Sequence, residues 1–308
     1  MTTSGIVLDL IEAFRRSKTM FVATSLGIFD GKRPADVKEL PRLLDACVAL
    51  GLLEKRTGGE YVNTPESDRF LRSDSLDTLS GYVLYSNAAL YPMWANLEDA
   101  LREASPRWKQ TFDLDGPLFS AFFRTDDAMR EFLKGMHGFG QLCSPAVVSA
   151  FDLSRFQHLV DLGGASGHLA EAARARYPHL RTTVFDLPIV KKAYPETIAG
   201  DFFIDPLPPA DLYALGRILH DWSEPKIRTL LRKIYDALPK DGALLVAEKL
   251  VDPTNVNAHM QNLNMLICTE GRERSAAEYA DLLKEAGFRS VESRVTGTLL
   301  DATLAVKD

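Results

Sequence analysis

Apolar positions near the start of the chain recur with the period of a helix. Ile6, Leu10, Ile11, Phe14, Met20, Phe21 and Leu26 fall at spacings near three and four, which predicts a helix across residues 5–29 that Gly27 ends. Such a stripe needs apolar partners. The run LPRLLDACVALGLLEKRTGGEYVNT then reads as a helix over about residues 40–50 stopping at Gly51. A short strand from Leu52 to Arg56, a turn at Gly58-Gly59 and a returning strand at Tyr61-Val62 follow. Helix, strand, glycine turn, strand is the order of a winged helix. Residues 76–104 and 116–150 are again helical in period, with Pro92, Pro106 and Pro145 expected to limit the segments.

From Phe151 the pattern becomes an alternation of short apolar strands with helices. Strands are predicted at HLVDL (158–162), TTVFD (182–186), DLYALG (211–216) and ALLVAEKL (243–250). Helices are predicted after Gly167, from about Glu224 to Leu238, and from about Ala276 to Ala286, where Gly287 stops the last one. Buried strands separated by helices indicate a parallel sheet of βαβ units, and SVESRV with TLLDATLAV reads as a closing strand pair. The expected fold is therefore α/β: a Rossmann-like sheet in the C-terminal half behind an all-α, winged-helix N-terminal part. The expected divisions are a helical and winged-helix-like domain at 1–105, connecting helices at 106–150, and a ligand-binding sheet domain at 151–308.

Composition narrows the function. The chain has 308 residues and a net charge of −6, and only Lys55 and Arg56 flank the wing, so a phosphate-gripping surface is not expected. We therefore expect no nucleic-acid partner. No apolar run approaches the roughly 18–20 residues of a membrane span, and the first turns carry Asp9, Glu12, Arg15 and Arg16; a cytoplasmic protein without membrane partners is expected. Cys47, Cys143 and Cys268 lie far apart with no ligand spacing, so neither a disulfide nor a structural metal is expected.

The sharpest local signal is VDLGGASGHLA (160–170). A strand carrying Asp161 turns through Gly163, Gly164 and Gly167 into a helix, the arrangement that lets a ligand approach the backbone. The dinucleotide spacing G-x-G-x-x-G fails in every register, because Ala165 and His168, or Ser166 and Leu169, occupy the required glycine positions. Two carboxylates at strand tips, Asp161 and Asp186, suit a ligand with ribose hydroxyls and a positive charge. Either Asp161 or Asp201 can equally cap a helix or sit in a solvated turn.

Asp161–Gly167, FDLP (185–188), GDFF (200–203), RILHDW (217–222) and NMLICTEGRERS (264–275) occur in an order that resembles one family over nearly the whole length. That family is the S-adenosylmethionine-dependent small-molecule O-methyltransferases of the acetylserotonin and caffeic acid type, which have a class I methyltransferase sheet. The resemblance implies S-adenosyl-L-methionine as cofactor, with S-adenosyl-L-homocysteine as product. It places Gly163 against the methionine moiety, Asp186 on the ribose hydroxyls, Asp201 and Phe202 at the adenine, and Arg217 beside the cofactor. It also makes His220 the general base, flanked by Glu248 and Glu273, with Asp221 and Asn264 contacting the substrate.

Chemistry agrees with the role of His220. A phenol of pKa about 10 is mostly protonated at neutral pH, and imidazole titrates near neutrality. Arg272 and Arg274 can equally pair Glu273 at the surface, and Asp221 can cap the following helix. The chain departs from the family at Cys268, where relatives have glutamine, and at Phe123 and Gly140, where the acetylserotonin enzymes place two aromatics near the cofactor. The stretch between FDLP and GDFF is much shorter than the family's, so a third strand and its helix are not legible in KKAYPETIA, and FDGKRPADVKEL lacks room for the full helical part of the winged helix; each is either a deletion or a stretch whose loop is omitted from the sequence. The resemblance further implies a homodimer formed through the N-terminal helices and a small hydroxylated aromatic substrate. Phe14, Phe21, Phe112, Phe119, Phe123, Phe132 and Met136 are candidate pocket aromatics and apolars. Two other readings compete: a cofactor-binding relative that hydroxylates or decarboxylates, and a winged-helix regulator.

Overall fold

The first predicted helix spans Ile6–Ser25 in a computed structural model that describes residues 5–308. It is followed by a helix Leu40–Ala49 and an antiparallel ribbon, β1 (Leu53–Lys55) and β2 (Tyr61–Asn63), in register Glu54 to Val62. Short helices Pro65–Phe70 and Ser80–Tyr85 come next. Residues 5–92, together with Phe123–Gly138, form one compact unit; Met93–Phe122 with Phe139–Asp308 forms the other. Ala23, Ile28, Phe29, Leu44, Cys47, Leu53, Leu71 and Val83 form the core of the first unit. The outer turns of its first helix contribute nothing to that core: Ile6 is 69% exposed and Phe14 53%.

Two prolines do not limit helices as expected. Pro92 is the second residue of the helix Tyr91–Trp94, where its missing N–H costs nothing, and the chain reaches it from Ser80–Tyr85 through a wide π-type turn, Ser86–Leu90. Pro145 lies inside the helix Asp126–Ser149, which continues past it to its last turn.

The second unit is built on one seven-stranded sheet. In chain order its strands are β3 (His158–Leu162), β4 (Arg181–Asp186), β5 (Ile198–Ala199), β6 (Leu212–Gly216), β7 (Ala243–Glu248), β8 (Ser290–Arg294) and β9 (Asp301–Val306). Their spatial order is β5-β4-β3-β6-β7-β9-β8. β3 through β7 are parallel, and β9 runs antiparallel between β7 and β8. The third strand, illegible in the sequence, exists as two exposed edge residues paired with Phe185 and Asp186, preceded by a single tight turn, Val190–Lys192, in place of a helix. The helix Val256–Cys268 was also not predicted.

Alternation along the strands assigns the faces. Val160, Leu162, Tyr213, Leu215, Leu244 and Val246 pack on the helices Glu224–Ala237 and Ala276–Glu285. Leu159, Leu212, Ala214, Leu245 and Ala247 pack on His168–Arg176 and the end of Asp126–Ser149. All six residues of β7 are buried, as expected of a strand covered on both faces. The chain leaves β3 toward β4 and β5, then returns to β6 on β3's other side. That switch point, at the C-terminal ends of β3 and β6, is where open α/β sheets hold ligands. No described helix is long and apolar enough to cross a membrane.

Candidate active site

The loop after β3 is tied down by Gly163, whose N–H donates to the Phe185 carbonyl at 2.7 Å. Gly163 has φ +72°, and a Cβ there would sit 2.5 Å from Ile218 Cδ1 and 3.4 Å from Phe202. Both the backbone angle and the close approach require glycine. The loop thus gathers Gly163, Phe202 and Ile218 into one wall. Phe202 is half-buried, with Phe203 at 4.8 Å and Trp222 at 6.5 Å between ring centroids.

The carboxylates around this loop differ. Asp161 is 1% exposed, and its Oδ2 has no hydrogen-bond partner among the described residues. Burial pushes its pKa up to about 7. Asp186 accepts the Ala165 N–H on Oδ2 at 2.8 Å and the Leu187 N–H on Oδ1 at 2.7 Å, and burial raises its pKa as well. Each oxygen keeps a second lone pair for a ribose hydroxyl. Asp201 sits in a turn, accepting from the Phe203 N–H at 2.8 Å while its own N–H donates to Asp205. The turn-carboxylate reading of Asp201 is therefore correct for its local bonds, and its second oxygen is not engaged by them.

Arg217 closes this end. It is held at φ +58°, an uncommon conformation for a non-glycine residue; its guanidinium lies over the Phe139 ring at 4.3 Å, and Nη1 is buried without a partner among the described residues. A cofactor carrying hydroxyls and a carboxylate fits this arrangement: bare glycine backbone, a carboxylate with spare lone pairs, and a buried guanidinium nitrogen with no partner among the described residues.

His220 stands three residues further on, in a single tight turn Leu219–Asp221, and is 3% exposed. Its Nδ1 is 2.7 Å from Glu273 Oε1 and 3.3 Å from Glu248 Oε2, and Nε2 is 3.6 Å from Asp221 Oδ1. An ionised carboxylate only accepts, so Nδ1 carries the proton in the bond to Glu273. Burial by itself would lower the imidazole pKa from 6.5, but Glu248, then Glu273 and Asp221, outweigh it and push it well upward. The carboxyls move up in turn: burial raises Glu248, and burial raises Asp221 to about 6.

Each carboxylate reaches the imidazole by a separate route. Glu248 ends β7, and its Oε1 also accepts the N–H groups of Ile218 and Leu219 at 2.9 and 2.8 Å, so it fixes the turn that carries His220. Glu273 is delivered by a loop whose Gly271 touches the His220 backbone; a Cβ there would lie 2.2 Å from the His220 carbonyl oxygen. The Glu273 N–H is held by Asn262 Oδ1 at 3.0 Å. Surface pairing of Glu273 with its arginine neighbours does not occur: Arg272 bonds Glu224 and Glu278, and Arg274 is 1% exposed with Nη1 donating to backbone carbonyls. Nor does Asp221 cap the next helix, whose N-cap is Ser223.

Sequence reasoning missed Ile218, Gly271 and Asn262. Ile218 and Gly271 lie inside the motifs RILHDW and NMLICTEGRERS, whereas Asn262 lies two residues before the second and gave no signal. Asn264 lies one helix turn before Cys268 in Val256–Cys268, bonded to Trp94. Gly140 is not an open position: a Cβ there would lie 2.3 Å from the His168 ring, which fills the space and meets Ser144 Oγ at 2.8 Å. The candidate aromatics separate. Phe112 packs at 5.8 Å on Trp108 and Phe119 at 5.9 Å on Trp222 in the second unit, whereas Phe123 and Phe132 meet edge to face at 6.0 Å in the first.

Residues 94–289 match the O-methyltransferase domain family. The acetylserotonin O-methyltransferase of Gallus gallus is 37% identical over 98% of this chain and 97% of its own, and that of Homo sapiens is 36% identical over 97% and 96%. The crystal structure of human N-acetylserotonin methyltransferase in complex with SAM superposes with a TM-score of 0.94, covering 100% of this chain and 99% of that one at 35% identity. Mitomycin 7-O-methyltransferase, 22% identical with a TM-score of 0.84, shares the fold. The chain belongs to the O-methyltransferase family and is an S-adenosylmethionine-dependent O-methyltransferase.

Proposed function

We propose that His220 is the general base of this reaction, that Glu248 and Glu273 hold and charge-balance it, and that Asp221 and Asn264 contact the acceptor. The observation that carries the reading is the 2.7 Å bond from Nδ1 to Glu273, which fixes the tautomer and leaves Nε2 as the nitrogen able to take a proton. Bound S-adenosylmethionine supplies a methyl on a positively charged sulfur. Gly163, Asp186, Asp201, Phe202 and Arg217 hold the cofactor in this reading, and His220 Nε2 takes the proton of the aromatic hydroxyl. Raising the proton affinity of the imidazole makes it a stronger base, while a smaller fraction of it is neutral at pH 7, so the rate should climb on the alkaline side. The acetylserotonin relatives make hydroxylated indoles the first acceptors to try. Incubating the protein with methyl-labelled cofactor and a panel of hydroxylated indoles and phenols tests this: labelled O-methyl product is expected, and cofactor binding with no methylated product from any panel member would contradict it.

We further propose that the N-terminal unit, with its winged-helix-like ribbon, forms the homodimer contact. Ile6, Leu10, Ile11 and Phe14 of the helix Ile6–Ser25 are each more than half exposed, an apolar stripe that its own unit leaves uncovered. Light scattering at micromolar concentration should give twice the chain mass. A monomer that remains fully active would remove the proposal.

A further inference from the structure

The amide of Asn264 has only one possible orientation. The indole N–H of Trp94 lies 3.0 Å from Asn264 Oδ1. An indole nitrogen donates and cannot accept, so the atom facing it must be the amide oxygen. The Cys268 thiol, one turn along the helix, is aimed at the same oxygen at 3.8 Å. With both neighbours directed to Oδ1, the NH2 group is what Asn264 has left to offer. The arrangement is held from outside: the Arg107 N–H donates to the Ile267 carbonyl and Trp108 Nε1 to the Cys268 carbonyl, each at 2.8 Å, which laces the segment after Trp94 to the end of that helix. The helix is also tied to the base, because its Asn262 holds the Glu273 N–H.

We propose that Trp94 is a positioning residue that presents Asn264 to the acceptor as a hydrogen-bond donor. The preferred acceptor then carries, apart from the hydroxyl to be methylated, a hydrogen-bond-accepting oxygen or nitrogen such as a ketone or amide carbonyl. The inference rests on Asn264 facing the acceptor, as proposed above. It adds the polarity of that contact and the residue that sets it. The Cys268 thiol, a weak donor directed at the same amide oxygen, leaves specificity for an accepting group on the Asn264 amide. Without the indole N–H the amide is free to turn, and its carbonyl would then face the acceptor's own oxygen.

The test uses phenols that carry a ketone one to three carbons from the ring, each matched with the corresponding alkylphenol, so that the phenol keeps a similar acidity within a pair. Dissociation constants are measured calorimetrically, and kcat and KM on the same compounds, for the wild type, Trp94→Phe and Asn264→Leu. For at least one pair the wild type should favour the ketone by about tenfold, the scale of one additional hydrogen bond. Trp94→Phe, which keeps the ring packing, should bring that ratio close to one by weakening the ketone alone, in KM more than kcat, with the alkylphenol unaffected. Asn264→Leu should abolish the ratio as well. A Trp94→Phe protein that loses both compounds equally shows packing only and overturns the proposal, as does a wild type with no preference in any pair. Failure of the general-base reading shows separately: His220→Ala would then retain turnover while the ketone preference in binding stands.

Discussion

At the end of β3 the protein withholds side chains, whereas at the ends of β6 and β7 it concentrates them. The Gly163 loop brings bare backbone against Ile218 and Phe202, and the carboxylates beside it act one at a time. Around His220, three carboxyls lie within 3.6 Å of one imidazole, all in the same buried space. The first arrangement suits a ligand that must be held by shape and by hydroxyls. The second suits a proton whose affinity for nitrogen must be set, because charges in a buried site act on one another with little screening. If this division is right, binding and turnover can be damaged independently.

The largest separation is expected at His220. His220→Ala should lower turnover by about 10²–10⁴-fold, the span of a lost general base, with cofactor affinity unchanged in calorimetry. The deficit should shrink on acceptors with more acidic hydroxyls. Asp186→Ala should do the reverse, weakening cofactor affinity by about 1.5–3 kcal/mol, as for hydrogen bonds to a charged group, with kcat at saturating cofactor nearly preserved. Equal damage to affinity and turnover in both variants would show that the two regions act as one.

The smallest effect concerns Asp161. Its folded pKa, about 7, lies above the ordinary 3.8, so the stability linked to its protonated form is complete below about pH 4 and is lost as pH rises through 7. Asp161→Asn removes that loss. The cofactor-free variant should therefore gain stability over the wild type progressively as the pH rises from 4 to 8 in denaturant titrations. A gap independent of pH would show that Asp161 is not a buried, strained carboxyl.

The same division decides what could be read from the sequence. The cofactor loop is contiguous: a strand, three glycines and a helix within VDLGGASGHLA state their purpose locally, and excluding the dinucleotide spacing needed only counting. His220, Glu248 and Glu273 come from three segments, the histidine and the glutamate that bonds it standing 53 positions apart, and periodicity says nothing about such a meeting. Their grouping was legible only through family resemblance. Gly271, Asn262 and Trp94 were silent because a close backbone approach or a side chain bonded to a remote amide leaves no local pattern. Pro92 and Pro145 misled for the opposite reason: a strong local rule was overridden where a helix start or a continuing helix accommodated them. The two-residue β5 survives because, as an edge strand, it needs only one neighbour.

In the proposed mechanism buried carboxylates set the proton affinity of His220, so the pH dependence of kcat should differ between the wild type and Glu273→Gln. Glutamine can still accept the Nδ1 proton but no longer stabilises the imidazolium with a negative charge. The imidazole should then release its proton more readily, moving the rise in kcat to lower pH by about one unit. The plateau rate should fall as well, because the base is weaker. A profile that keeps its inflection, or moves it to higher pH, would contradict the account.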